Sequence, residues 1–249
     1  MIRENMHIHS KYSWDSKLEL DKIAEELIKN NIKYGTITDH VELDRENIKD
    51  VIKNLKIRNN EIDNLNQGYD GKLKLLKGVE ISSPHLYPGE VEEISALDLD
   101  MIMGSIHEID RTAKTDSEIR KENFIYYNKI LKMIKKNQID VVGHLDYINR
   151  YYGKDYSNAF QLNEIFTALK ETNTILEINA SASRRNCCQF TFPSYDKLKL
   201  YKNRINTIVI GTDAHEICEI DKNLQNAEHI AKLIDLKPVV YIKRKQSRI

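Results

Sequence analysis

Cysteine is scarce: Cys187, Cys188 and Cys218 are the only three in 249 residues. An adjacent pair plus one matches neither a disulfide framework nor a Cys-rich zinc site, so a reducing, cytoplasmic setting is expected. No sign of charge dominates, because 38 basic residues balance 38 acidic ones. A surface that tracks a nucleic-acid backbone carries surplus Lys and Arg, so no nucleic-acid partner is expected. No apolar run nears the roughly 18 residues of a membrane span, and Met1 to Asn5 lead directly into a histidine pair, so neither a membrane partner nor a secretory leader is expected. The glycines form no Gly-x-Gly-x-x-Gly or phosphate loop, which leaves no support for a nucleotide cofactor. Repeats, linkers and low-complexity segments are missing too. With 41% hydrophobic residues the chain can bury a full core, and one domain over residues 1–249 is the expectation.

What is present is a repeated pattern of apolar strands that end in polar residues. The first, residues 3–9, closes on Met6-His7-Ile8-His9-Ser10. In an extended chain His7 and His9 share one face while Ile8 points into a core. Further strands are predicted near 34–38, 73–81, 99–106, 139–143, 174–178 and 207–210. Helices are predicted over 17–30, 46–65 (with a break near Asn59-Asn60), 118–137, 158–171, 195–203 and 222–234. The segments 82–92, 146–156 and 181–194 read as irregular loops, and 237–245 as a short extended tail. Strand and helix in alternation imply a parallel sheet with right-handed crossovers. The strand ends carry His7, His9, Asp39, His40, Glu80, His107, His144, Glu177, Asn179, Asp213 and His215. Only a closed or nearly closed barrel brings every such end to one rim, so the expected fold is α/β, a distorted seven-stranded (β/α) barrel.

Six of the eight histidines lie at these ends; His85 and His229 do not and read as surface or structural. Imidazole and carboxylate without thiolate suit Zn²⁺, Mn²⁺ or Fe²⁺, whereas Mg²⁺ and Ca²⁺ prefer oxygen shells. The donors exceed what one ion uses, so two or three divalent ions are implied. Ions roughly 3.5 Å apart clamp a phosphate and acidify a shared water for in-line attack, and no Ser, Cys or Lys nucleophile is then needed. Cys187 and Cys188 read as incidental thiols. Tyr147, Tyr151, Tyr152 and Tyr156 read either as a cap over the rim or as packing. Arg150, Arg184 and Arg185 follow the fifth and sixth strands, where a guanidinium can bind phosphate bidentately.

The ordered series His-Ile-His-Ser, Thr-Asp-His, Gly-Val-Glu, Gly-Ser-Ile-His, Gly-His-Leu-Asp, Glu-Ile-Asn and Gly-Thr-Asp-Ala-His resembles the polymerase and histidinol phosphatase (PHP) superfamily along the whole chain. The stretches from His7 to Ser16 and from Gly143 to Tyr151 look like its histidinol-phosphatase branch. The resemblance implies a distorted (β/α)7 barrel and a trinuclear centre. In that centre His7, His9, Glu80 and Asp213 would bind one ion, and Glu80 would bridge to a second held by His107 and His144. His40 and His215 would bind the third, with Asp15 in a position where the superfamily often has His. Asp39 would orient an imidazole, and Arg150 and Arg184 would hold the substrate phosphate, with a metal-bound water or a rim acid such as Asp213 handling protons. The implied activity is hydrolysis of a small phosphorylated metabolite, L-histidinol phosphate to L-histidinol and phosphate in histidine biosynthesis. Another small phosphomonoester, a phosphotyrosine, a nucleotide or a phosphodiester stays open as substrate, as does a catalytically silent barrel. Oligomeric state is open as well. The chain departs from the superfamily pattern over Ala180 to Cys188.

Overall fold

The computed structural model describes residues 3–184 and 191–248. Among these residues ten strands form one sheet: β1 (Arg3–Ile8), β2 (Ile32–Ile37), β3 (His40–Val41), β4 (Lys74–Ser82), β5 (Met101–Ser105), β6 (Val141–Val142), β7 (Ile175–Asn179), β8 (Thr207–Gly211), β9 (Lys237–Ile242) and β10 (Lys245–Arg248). The path runs β1-β2-β4-β5-β6-β7-β8-β9-β10, and β3 pairs with the end of β4. Pairing is parallel throughout except for the β9–β10 hairpin. Seven of these strands are the predicted ones.

Among the described residues, eight α-helices supply the crossovers: α1 (Leu20–Lys29), α2 (Ile48–Asn66), α3 (Pro88–Ser95), α4 (Asp116–Lys135), α5 (Asn149–Tyr152), α6 (Ala159–Thr172), α7 (Tyr195–Lys202) and α8 (Leu224–Leu233). Local chemistry starts several of them. Asn47 and Asn158 cap α2 and α6 by accepting backbone N–H bonds, and Thr115 with Glu118 forms a capping box on α4. Two expectations fail here. α2 does not break at Asn59, because Arg58 and Asn59 turn inward and spend their polar groups on tertiary partners. The predicted loop 82–92 contains the start of α3, whose Pro88 sits at the first helical position, where its missing N–H costs nothing.

The sheet curls until its first strand meets its eighth. At the rim the Asp213 N–H donates to the His7 carbonyl (2.8 Å) and the His9 N–H to the Ala214 carbonyl (2.9 Å), with a parallel bridge between Ile8 and Ala214. At the other end β8 pairs instead with β9, through Thr207 and Ile208, so the expected tail is a wedge in the seam. Alternation along the strands sorts side chains into two cores. Ile8, Leu75, Ile102, Val142, Leu176 and Ile208 pack under the helices. Met6, Leu76, Met101, Met103, Val141, Ile175 and Val209, with Val239 to Tyr241 of the wedge, form a cluster drawn from strands alone. Each such side chain, fully buried, contributes about 1.5–3 kcal/mol. That packed interior is the floor on which the strand-end residues stand.

Candidate metal centre

The strand-end residues converge. His7 Nε2 lies 3.0 Å from His9 Nε2, 3.2 Å from Glu80 Oε2 and 3.6 Å from Asp213 Oδ1. The other Glu80 oxygen, Oε1, is 2.8 Å from His144 Nε2 and 3.4 Å from His107 Nε2. Asp15 Oδ2 is 3.4 Å from His40 Nε2 and 3.1 Å from His215 Nε2. Three groups of donors able to share an ion result: His7, His9 and Asp213; Glu80, His107 and His144; and His9, Asp15, His40 and His215. A fourth, of His40, Glu42 and His107, was not anticipated. Glu80 lies between the first two groups with one oxygen toward each.

Backbone geometry aims these groups. His144 and Asp213 both adopt positive φ, 24° and 55°, a region that costs a non-glycine residue about 1–3 kcal/mol. The strain is held by the His144 N–H donating to Glu177 Oε2 (2.9 Å) and by the bond from Asp213 to His7. Gly211 has to be glycine, because a Cβ there would lie 2.2 Å from Glu177 Oε1 and 2.4 Å from the His7 Cβ.

Hydrogen bonds fix which nitrogen faces inward. His7 Nδ1 donates to Glu177 Oε1 at 2.8 Å, and His215 Nδ1 donates to the Asp213 carbonyl at 2.9 Å. Their Nε2 lone pairs therefore point at the carboxylates. Lone pair against carboxylate is repulsive unless a cation or a proton lies between them. His40 Nδ1 is likewise buried without a hydrogen bond, 3.1 Å from Glu80 Oε2. The electrostatics agree. Burial pulls the His7 and His40 imidazoles down, but the surrounding carboxylates (Glu177 and Glu80 for His7, Glu80 and Asp15 for His40) hold both well above their ordinary value. His107 is raised to about 9: burial opposes protonation, but Glu80 and Glu42 outweigh it. His9, desolvated and beside His40 and His215, is held well below its ordinary value. Glu80 and Asp213, although burial opposes ionisation, are kept ionised by the imidazoles around them. The donor set, with nitrogens and carboxylate oxygens crowded toward one another, fits divalent transition ions.

Residues 5–181 match the family model of the PHP domain. The chain belongs to the PHP domain family. It is 28% identical to the probable histidinol-phosphatase of Clostridium acetobutylicum, over 96% of each chain. It is 27% identical to the probable histidinol-phosphatase of Thermotoga maritima, over 96% of this chain and 98% of that one. Among solved structures, the Lactococcus lactis histidinol phosphate phosphatase, complexed with zinc, L-histidinol and phosphate, superposes with a TM-score of 0.82 at 22% identity, covering 99% of both chains.

In this PHP domain the ligand rim opens into a cavity of about 630 Å³. Trp14, Asp15, His40, His107, His144, Tyr147, Arg150 and Tyr151 are in its wall. Arg150 donates to the Tyr147 hydroxyl (3.2 Å), and the Tyr147 ring lies 4.7 Å from that of His144. Arg150 lies in α5 and Tyr147 in the turn before it, so a short helix occupies part of the tract expected to be irregular, while Tyr152 and Tyr156 bond away to the Asp110 carbonyl and to Asp116. Arg184 differs from Arg150. Its Nη2 donates to the carbonyls of Thr212 (2.8 Å) and Asp213 (2.7 Å), and Nη1 lies 3.2 Å from Glu219, while Nε and Nη1 have no hydrogen bond. Asp39 touches no imidazole: its carboxylate accepts from the Ser10 N–H, the Ser10 hydroxyl and Arg58. Arg185, Cys187 and Cys188 lie outside the described residues.

Glu177 stands at a strand end in the sequence, where the one signal of its role is an acid beside Asn179 among apolar neighbours; Glu42 and Arg111 carry no such signal. Arg111 lines the cavity, stacks on Tyr151 with its guanidinium carbon 4.3 Å from the ring centroid and donates to the Tyr151 hydroxyl at 2.9 Å. Nothing in local periodicity marks either residue, because both lie in loops after β3 and β5.

Proposed function

We propose that this chain is a metal-dependent phosphomonoesterase whose substrate is L-histidinol phosphate. The observation that carries the reading is the position of Glu80, with Oε2 facing His7, His9 and His40 and Oε1 facing His107 and His144. Relatives named probable histidinol-phosphatase that align along nearly their whole length support the choice of substrate. The residues to hold ions are His7, His9 and Asp213; Glu80, His107 and His144; and Asp15, His40 and His215. Divalent ions bound there withdraw charge from phosphoryl oxygens and acidify a water molecule.

The chain's own groups do the rest. Arg150 binds the phosphate from the cavity wall, while Arg184 braces the Asp213 carbonyl and pairs with Glu219. Tyr147, against His144, fixes the height of Arg150 over the rim. Asp213, ionised and facing the cavity, accepts a proton from the attacking water at a carboxylate oxygen. The aromatic wall of Trp14, Tyr147 and Tyr151 excludes water around the leaving alcohol.

Phosphate release from L-histidinol phosphate, other small phosphomonoesters, phosphotyrosine and a phosphodiester, measured on ion-replete protein, tests this. A clear preference for L-histidinol phosphate, lost in Glu80→Gln with the fold intact, is the expected result. Equal or greater turnover of another ester removes the substrate assignment, and full activity in Glu80→Gln removes the bridging role.

A further inference from the structure

The interior ligands are sealed: the side chains of His7, His9 and Glu80 are 0% exposed. Any ion that reaches them must pass the rim of the cavity. On that rim one nitrogen each of His40 and His107 and one carboxylate oxygen of Glu42 lie within 4.8 Å of one another. All three side chains are partly exposed, 9%, 19% and 12%, and all three face the cavity. Glu42 Oε1 is 3.5 Å from His107 Nδ1, about the separation of two donors that share an ion at roughly 2.1 Å. That nitrogen is the one His107 turns away from Glu80, toward Glu42.

We propose that His40, Glu42 and His107 form an entry site for divalent cations, occupied transiently while the interior groups load. Once an ion has displaced their protons, two imidazoles and a carboxylate suit a borderline transition ion and disfavour Mg²⁺ or Ca²⁺. The site is exclusive by construction, since His40 and His107 also belong to the interior groups. An ion captured at the rim therefore leaves it once the interior donors claim the same two rings, and the rim site empties as the interior fills. Glu42 alone is specific to the rim, and its negative charge is what draws a hydrated cation out of the cavity.

The inference rests on the interior being an ion centre, and the test separates the two. Metal-free full-length chain is mixed with Co²⁺ in a stopped-flow instrument and uptake is followed by visible absorption, with final Co²⁺ content measured after dialysis. In wild type a fast phase precedes slower filling. Glu42→Gln should lose the fast phase and load about tenfold more slowly, yet reach the same final Co²⁺ content. Asp44→Asn, which removes another carboxylate lining the same cavity, should load like wild type. Unchanged uptake in Glu42→Gln overturns the entry site, as does equal slowing in Asp44→Asn, which would mean general charge attraction. A lower final content in Glu42→Gln overturns it too, since Glu42 would then be support for bound ions. Wild type that takes up no Co²⁺ overturns the function reading, and the entry site with it.

Discussion

Arg58 and Asp39 form a buried ion pair, Nη1 to Oδ2 at 3.1 Å, and it ties an outer helix to three ligand-bearing strand ends. The guanidinium also donates to the Gly78 carbonyl at 2.7 Å, two residues before Glu80, while Asp39 precedes His40 and accepts from Ser10, which follows His9. Removing one partner of a buried pair leaves the other charge unpaired, at a cost of about 3–5 kcal/mol. Arg58→Met should lose stability of that order in urea unfolding of the ion-free chain. It should also bind divalent ions more weakly at equilibrium, because the spacing of His9, His40 and Glu80 relaxes. A variant that is destabilised but keeps wild-type ion affinity would confine Arg58 to a packing role.

The two arginines are separable by kinetics. Arg150 faces the cavity, so Arg150→Ala should raise KM for the phosphomonoester about 10- to 100-fold, the equivalent of roughly 1.5–3 kcal/mol for a charge-assisted bond. Arg184→Ala should chiefly lower kcat, since it frees the Asp213 backbone that its Nη2 now holds. Steady-state kinetics of both variants would expose a wrong assignment if the two patterns came out reversed.

Loading with ions should release protons. In the ion-free chain the surrounding carboxylates keep His7 and His40 well above their ordinary value and His107 near 9, so these rings carry protons at pH 7. An ion needs the neutral nitrogen and must displace that proton, and the competition grows as pH falls. Zn²⁺ added to weakly buffered protein at pH 7 should acidify the solution, and apparent affinity should drop toward pH 5. Uptake with no acidification would show that the rings are already neutral.

Glu4, in β1, provides a stability test remote from the centre. Burial and, secondarily, Glu228 push its carboxyl up to about 8 from an ordinary 4.5, and Oε1 lacks a hydrogen bond. A raised carboxyl binds its proton more tightly when folded, so its contribution is intact below pH 4.5 and is lost as pH rises to about 8. The slope is about 1.4 kcal/mol per pH unit in that window. Glu4→Gln should remove this loss, gaining over wild type at pH 8 and little at pH 5. Parallel unfolding midpoints at both pH values would refute the shift.

The ligands were legible in the sequence because a strand's repeat of two is local. Ile8 goes to the helix side and His7 and His9 to the rim, whatever the rest of the chain does, and strand–helix alternation then orders the other ends around them. The sequence by itself determined the seven parallel strands, the residue types at their ends and hence the chemistry of the donors. Tertiary structure alone decided where charge is balanced across the fold. Asp39 reads as support for an imidazole, yet it answers a guanidinium 19 residues on; Glu177 finds its imidazole 170 residues away; and Arg184 folds back onto the Asp213 carbonyl. Hydrophobic periodicity is written in neighbouring residues, whereas a buried charge is satisfied by whichever opposite charge the packing brings within about 3 Å, and no local pattern names that partner.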